Sequence, residues 1–299
     1  MKRLAALCAA LLLVACDKPA EPPPLRYGAA PATPVPPAFR FAVHPLHNPK
    51  KLSEAYQPLI DYLNRELPGV RLELESSLNY QSYEKKFRAR APEFLLPNPW
   101  QTLEAMKVGY RVLAMAGDAQ DFKGIFIVRK DSRIARPADL KGRAVSYPSH
   151  TALAACVMPQ FFLHRHGIDI RRDIQNLYVG SQESAIMHAY LGNAAAAATW
   201  PPPWRLFQRD HPQEAAQLKV IWETPPLLNN AVMARDDVPP ELVARLRQLL
   251  LDLEDKPEGA AILAAMATTR FHAADDASYR AVRDFVAHFE RTVRPVEQP

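Results

Sequence analysis

The sequence predicts an α/β fold of two lobes, on three observations. Strand-like and helix-like segments alternate from Phe39 to about Arg235, as expected where helices cross between strands of a largely parallel sheet. A second block of alternation lies inside the first, so the chain leaves one lobe and later returns to it. The stretch from Pro239 to Arg294 carries only helical periodicity. With 299 residues, 48% of them hydrophobic, the chain can bury one large core or two medium ones.

The elements follow in order. A strand is expected at Phe39–Val43, a helix over Leu52–Leu67, a strand at Arg71–Glu75 and a helix near Tyr80–Arg90. A strand at Phe94–Leu96, a helix at Trp100–Gly109 and a strand at Tyr110–Ala116 complete the first alternation. The apolar run in KGIFIVRKDS is a strand, and RPADLKGRAVSYP supplies a turn and another strand. A helix over Ala152–His166 comes next, then a strand at Asn176–Val179, a helix at Glu183–Leu191 and the small-residue strand Ala194–Thr199. LKVIWET and NNAVMAR are two more strands. The expected division is residues 39–118 plus 225–299 for lobe one and 119–224 for lobe two. In open α/β sheets ligands bind beyond the carboxyl ends of strands. The turns His44–His47, Pro97–Trp100, Ser149–Thr151, Ser181–Glu183 and Thr199–Trp204 should therefore line one cleft.

The first 38 residues read differently. Lys2 and Arg3 precede an apolar run from Leu4 to Ala15, the parts of a secretory signal over residues 1–15 and too short to span a bilayer. Leu13-Val14-Ala15-Cys16 looks like a bacterial lipobox, which implies lipidation at Cys16. Residues 16–38 are rich in Pro and Ala and form a tether, holding a globular body outside the cytoplasm at a membrane, with Asp17 resembling an inner-membrane retention signal. With Cys8 in the signal and Cys16 lipidated, Cys156 is the one thiol left, so no intrachain disulfide is expected. The formal charge of +5 drops by two without Lys2 and Arg3, and no basic cluster with interleaved aromatics marks a nucleic-acid partner.

One junction stands out. Ala144–Tyr147 reads as strand, and the Ala/Leu/Phe-rich stretch from Ala152 as helix, leaving Pro148-Ser149-His150-Thr151 between them. Ser149 or Thr151 can cap the helix, and the unpaired amides of a first turn attract an anion.

Together these features resemble the phosphate/phosphite/phosphonate substrate-binding family of ABC importers, which are type II periplasmic binding proteins. YQPLIDYLNREL is similar to that family's first helix, GIFIVRKDSRIARPADLKGRAVSYP to its hinge and entry to lobe two, and YVGSQESAIMHAYLGNAAAAAT to its later helix and small-residue strand. The resemblance implies a two-lobed type II fold with the cleft between lobes. It also implies a small anionic ligand bound by closure without chemistry, no cofactor, and a permease partner in the inner membrane. Ser149, His150 and Thr151 match the family's anion-holding junction, with His in place of one hydroxyl and Ala152 in place of a glycine. Asn98, Trp100 and His44 would close from lobe one, Trp100 covering the ligand or packing under its helix. Gln182, Glu183 and Trp200 would set selectivity, Glu183 serving a ligand amine or only the helix dipole. The departure is ATWPPPWRLF, expected as a stiff aromatic rim in which Trp204 faces the ligand or packs on its own lobe.

Other chemistries fit less well. His44 and His47 lack further metal ligands at recognisable spacing, and His164 and His166 lie on different faces of a helix end. Cys156 sits among Leu153, Val157 and Phe161 as a small core residue. No nucleophile elbow, zinc helix or phosphate loop is present. The expectation is a monomeric, lipid-anchored periplasmic binding protein of an importer. The alternatives are a lipoprotein reporting to a sensor kinase and, further off, an enzyme on this fold.

Overall fold

The computed structural model describes residues 36–298; the expected signal segment, most of the tether and Cys16 lie outside the described residues. Strand β1 (Ala38–Val43) ends in Phe41, Ala42 and Val43, all fully buried, as an apolar strand covered on both faces should be. Helix α1 (Pro49–Glu66) starts where the Asn48 side chain accepts from the Lys51 amide at 3.0 Å, with Pro49 in the first turn, where no intrahelical donor is needed. Its buried stripe is Leu52, Tyr56, Leu59, Ile60 and Leu63, spaced three and four apart. β2 (Arg71–Glu75), α2 (Tyr80–Arg88), β3 (Phe94–Leu96), α3 (Pro99–Met106) and β4 (Tyr110–Ala116) complete the first pass. Capping boxes at Asn79/Ser82 and Asn98/Gln101 open α2 and α3.

The chain then crosses to a second sheet. It runs through β5 (Ile125–Arg129), β6 (Arg143–Tyr147), α4 (Met158–Arg165), β7 (Ile174–Tyr178), α5 (Gln182–Tyr190) and β8 (Ala196–Thr199). α6 (Pro201–Asp210), α7 (Pro212–Ala215) and β9 (Leu218–Glu223) follow. It returns through β10 (Asn230–Arg235) and ends with α8 (Pro240–Leu251), α9 (Gly259–Ala265), β11 (Phe271–Ala273) and α10 (Arg280–Thr292). The first sheet has the order β11-β4-β10-β3-β1-β2 and the second β7-β6-β8-β5-β9.

The sheets are mixed rather than largely parallel. β1 pairs in parallel with β2 and β3, and β6 with β7 and β8, whereas β10 runs antiparallel to β3 and β4, and β5 antiparallel to β8 and β9. The reason is topological: each sheet holds one strand leaving for the other lobe and one returning. The two crossings lie side by side. Thr224 N donates to Gly124 O at 2.8 Å, Gly124 N to Thr224 Oγ1 at 2.9 Å, and Leu227 N to Phe122 O at 2.9 Å. Gly117, at φ +85, enters the first crossing, and a side chain there would meet Asn229 Nδ2 at 2.9 Å.

Three further differences from the sequence reading have local causes. β11 falls in the segment read as helices only; it is a three-residue antiparallel edge strand on β4, too short to give a period. The proline run is not a loop but the first turn of α6, because Pro201, Pro202 and Pro203 occupy positions whose amides lack helical acceptors; Trp200, Pro202 and Pro203 line a cavity there. The stretch expected as one helix from Ala152 begins as a π-helical turn, Leu153–Val157, before α4. Pro159 accounts for the wide turn: it has no N–H, and in an α-helix its ring would strike the carbonyl of Ala155.

Candidate binding site

The carboxyl ends of β1, β3, β6 and β8 face one another across the gap between the sheets. His44 follows β1 directly. Its backbone N–H donates to Leu96 O at 3.1 Å, and its ring Nδ1 lies 2.9 Å from the same oxygen. A carbonyl only accepts, so Nδ1 carries the proton. Burial pushes the ring's pKa down to about 4, against the pull of the Leu96 carbonyl, so it is neutral and Nε2 bears a lone pair. Among the described residues Nε2 has no hydrogen-bond partner. The rings of Tyr80 and Tyr83 stand edge-on to it, with centroids 6.2 and 6.5 Å away.

Opposite lies the end of β6. Cys156 N and Val157 N both donate to Ala152 O, at 2.8 and 3.2 Å. The amides of Leu153, Ala154 and Ala155 donate to no backbone or side-chain acceptor among the described residues, as the first turn of a helix dictates. The helix start is therefore three to four residues later than Ser149. Ser149 and Thr151 do not cap it. Their hydroxyls are 3.1 Å apart, and Thr151 donates to Glu84 Oε1 at 2.7 Å, an oxygen that also accepts from Gln101 Nε2 at 3.1 Å. Burial raises the pKa of Glu84, while these two donors oppose the rise.

His44, Tyr80, Asn98, Phe122, Gln182, Trp200 and Asn230 line one cleft together with Ala152–Ala155. Its free volume is about 10 Å³, room for roughly one water. Side chains bridge the lobes around it. Gln182 accepts from Thr199 Oγ1 at 2.8 Å and donates to Tyr80 OH at 3.2 Å; Asn98 caps α3 with its oxygen and donates from Nδ2 to Thr151 O at 3.2 Å. Trp200 packs on Phe122, centroids 5.4 Å apart. Asn230 is 3% exposed, and its Oδ1 is enclosed without a partner among the described residues. Among the described residues no lysine, arginine or carboxylate lines this cleft.

Of the residues singled out in the sequence, His44, Asn98, Gln182 and Trp200 meet here. Ser149 and Thr151 lie behind the cleft wall. His150 turns to the far side, its ring edge-on to Tyr178 at 5.9 Å and its carbonyl accepting from Arg294 Nη2 at 3.0 Å; burial and then the Arg294 charge lower its pKa. Trp100 is 2% exposed in the core of lobe one and does not line the cleft, since it sits in the buried first turn of α3. Glu183 lies at an adjoining crevice of about 240 Å³, which shares Gln182 with the cleft and is lined further by His47, Lys51, Arg209 and Asp210. There Lys51 Nζ is 2.8 Å from Glu183 and 3.2 Å from Asp210, and His211 Nε2 is 3.0 Å from Glu183. Burial disfavours the Glu183 charge, but Lys51 and His211 outweigh it and hold the carboxyl below its usual range. Trp204 stacks on Phe207 at 5.9 Å, on its own lobe. Cys156 is buried, its thiol pushed up to about 12, with Arg294 Nη2 3.6 Å from sulfur. Among the described residues no three metal-ligating side chains converge, and no helix is long and apolar enough to cross a membrane.

Sequence reading missed Glu84, Tyr80 and Asn230. Glu84 left a signal: it lies between Tyr83 and Phe87 and four residues after Tyr80, an acid on the buried stripe of α2. Asn230 left none, because an Asn at a strand start is ordinary turn chemistry.

The comparisons with known proteins agree with this architecture. A probable phosphite-binding protein of an ABC transporter, PhnD1 from Prochlorococcus marinus, is 22% identical over 186 residues, 58% of this chain and 63% of its own length. The match thus spans less than two thirds of that relative. A binding protein component of an ABC phosphonate transporter from Pseudomonas aeruginosa superposes with a TM-score of 0.79 at 18% identity, covering 86% of this chain and 88% of its own. PhnD1 in complex with methylphosphonate superposes at 0.78 with 19% identity, over 86% of this chain and 100% of its own. Residues 41–279 match the model of the ABC transporter phosphonate periplasmic substrate-binding proteins, and the chain belongs to that family.

Proposed function

We propose that the cleft receives a small phosphorus oxyanion, a phosphonate, phosphite or phosphate-like ligand, for import through an ABC permease. The observation that carries this reading is the set of three undonated amides, Leu153 to Ala155, facing a cleft built of neutral polar groups. A helix start of this kind stabilises an oxyanion through N–H donors and the helix dipole. Ala154 and Ala155 are small enough for oxygens to approach the backbone. The names of the relatives point the same way, one a probable phosphite binder and one a methylphosphonate complex.

The mechanism is binding by closure, with no bond made or broken. The described cleft is too small for such a ligand, so entry requires the lobes to part along the paired crossings at 117–124 and 224–229. Bound ligand would then be enclosed by His44 and Asn98 from one lobe and by the amides, Gln182 and Trp200 from the other. Ser149 and Thr151 position the junction through Glu84 rather than touch the ligand. The closed form is what a permease would distinguish from the open one. A periplasmic location and a lipid anchor at Cys16 belong to the same proposal; Cys16→Ser should move the chain from the membrane to the soluble fraction.

Calorimetry on the full chain with methylphosphonate, phosphite, phosphate and sulfate tests the ligand class. Saturation at a hundredfold the Kd should stabilise the fold by about 2.7 kcal/mol. Ala154→Leu, which fills the cleft beside the amides, should abolish binding while leaving the fold intact. Failure of every phosphorus oxyanion to bind would sink the reading.

A further inference from the structure

We propose that His44 makes the cleft selective for oxyanions that share a proton: ligand and His44 Nε2 hold one proton between them, so phosphorus monoanions are accepted and sulfate or alkylsulfonates are refused. This rests on the phosphorus-oxyanion reading above. Its own basis is the His44 tautomer. The Leu96 carbonyl fixes the ring proton on Nδ1, so the neutral ring offers the cleft a lone pair. A lone pair against a fully deprotonated oxyanion is repulsive. The contact becomes a hydrogen bond when a P–OH donates to Nε2, or when a proton taken from solvent sits on Nε2 opposite a dianion. The two descriptions have the same composition, one ligand and one proton.

No other side chain in the cleft supplies the missing charge. Asn98 Nδ2 and Gln182 Nε2 each give one N–H, to Thr151 O and Tyr80 OH, and their amides carry no charge. A P–OH supplies the proton that Nε2 lacks; sulfate has none. Sulfate must instead wait for an imidazolium that burial disfavours. With the ring's pKa about 4, protonated His44 at pH 7 is present in roughly one molecule in a thousand.

The groups facing His44 leave the ligand as the main titrating species near neutrality. Tyr80 and Tyr83 on α2 are pushed upward by burial, His47 beyond β1 is lowered to about 4, chiefly by burial, and Cys156 in the wide turn is raised to about 12. Gln182, Trp200 and Asn230 from the remaining walls do not titrate. Glu84, raised by burial, requires a control, and Glu183 and Asp210 act on His47 rather than directly on His44.

The test is calorimetric affinity of the full chain for methylphosphonate and sulfate from pH 5 to 9, in buffers of different ionisation enthalpy. Methylphosphonate should bind with flat affinity below its second pKa. Above it, affinity should fall about tenfold per pH unit with uptake of one proton per ligand. Sulfate should bind at least about a hundredfold more weakly at pH 7 and gain toward pH 5. In His44→Gln, whose amide can turn an N–H to the ligand, proton uptake should vanish and the two anions should converge; Glu84→Gln should keep the wild-type slope. Wild-type binding of methylphosphonate without proton uptake above its second pKa, or sulfate bound as tightly, overturns the proposal even if His44→Gln does not fold. Absence of binding by methylphosphonate at every pH overturns the ligand reading along with it.

Discussion

Arg294 to Ala is the perturbation whose cost can be worked most directly. Arg294 is 2% exposed, although only five residues follow it in the sequence. Nε donates to Gln160 Oε1 at 2.8 Å and Nη2 to His150 O at 3.0 Å. Nη1 donates to the carbonyls of Pro295, Val296 and Gln298 at 2.9, 2.9 and 3.0 Å, and the guanidinium lies over Phe289 at 5.4 Å. The three tail carbonyls would regain water if the tail lifts, so their loss costs little. Gln160 Oε1 and the His150 carbonyl stay inside, and a buried acceptor left unpaired costs about 1–3 kcal/mol. Removing the cation returns part of its desolvation, which leaves a net loss of about 3 kcal/mol. At about 2–4 °C per kcal/mol, Tm should fall by roughly 6–12 °C. Urea unfolding should show a lower midpoint with unchanged slope. Arg294→Lys should lie between, since it keeps the charge but not the fork of donors. A change below about 0.5 kcal/mol for Arg294→Ala would refute the claim that this side chain clamps the tail to the wall of the cleft.

Trp100→Ala should cost about 3–5 kcal/mol in stability and leave ligand affinity within about twofold below the transition; a large loss of affinity in a folded variant would return the ring to the cleft. Lys51→Met should change stability by less than about 1 kcal/mol, because Lys51 and Glu183 are 32% and 40% exposed, yet ligand affinity should weaken and lose part of its salt dependence. Gly124→Ala would place a Cβ 2.7 Å from Ala154 O and 2.8 Å from the Pro159 ring, neither of which can swing aside, so both stability, by about 1–3 kcal/mol, and affinity should drop. His44 has its folded pKa, about 4, below the unfolded value near 6.5, so the stability of its neutral form is whole above pH 6.5 and is lost as pH falls toward 4. That loss amounts to at most about 3 kcal/mol, and His44→Gln should remove it from the pH profile of unfolding.

The order of elements was legible because local periodicity and capping dictate it: Asn48-Pro49 before the α1 stripe, the Asn98 box before α3, apolar β1 and β5. Strand direction was less so, since nothing in LKVIWET or NNAVMAR says that β9 and β10 run antiparallel to their neighbours. At the site, His44, Asn98, Gln182 and Trp200 could be found because each follows or closes a strand whose end is set by topology. Trp100 and His150 are neighbours in sequence of such positions and point elsewhere, because along a turn or first helical turn successive side chains diverge. The partner of Thr151 was out of reach altogether: Glu84 is 67 residues away in sequence, and only tertiary packing brings the two together.

The displaced helix start explains why the cleft has the composition it does. Had an α-helix begun at Thr151, the hydroxyls would have faced the gap and an anion would have met Ser and Thr side chains. Pro159 prevents that geometry, and the wide turn that accommodates it gathers Cys156 N and Val157 N onto one carbonyl while leaving Leu153, Ala154 and Ala155 as the open donors. Backbone donors need bare surroundings, which accounts for alanine at 152, 154 and 155, and for a glycine at 124, where the adjoining strand presses against Ala154 O. The hydroxyls, released from capping, tie the junction to lobe one through Glu84, and the Arg294 clamp holds it from behind through His150 O. A site whose charge recognition resides in amides rather than in lysine or arginine has no mobile cation to adapt to different anions. Under the proposed reading its selectivity comes from the fixed lone pair of His44, which asks the ligand for the one proton it carries.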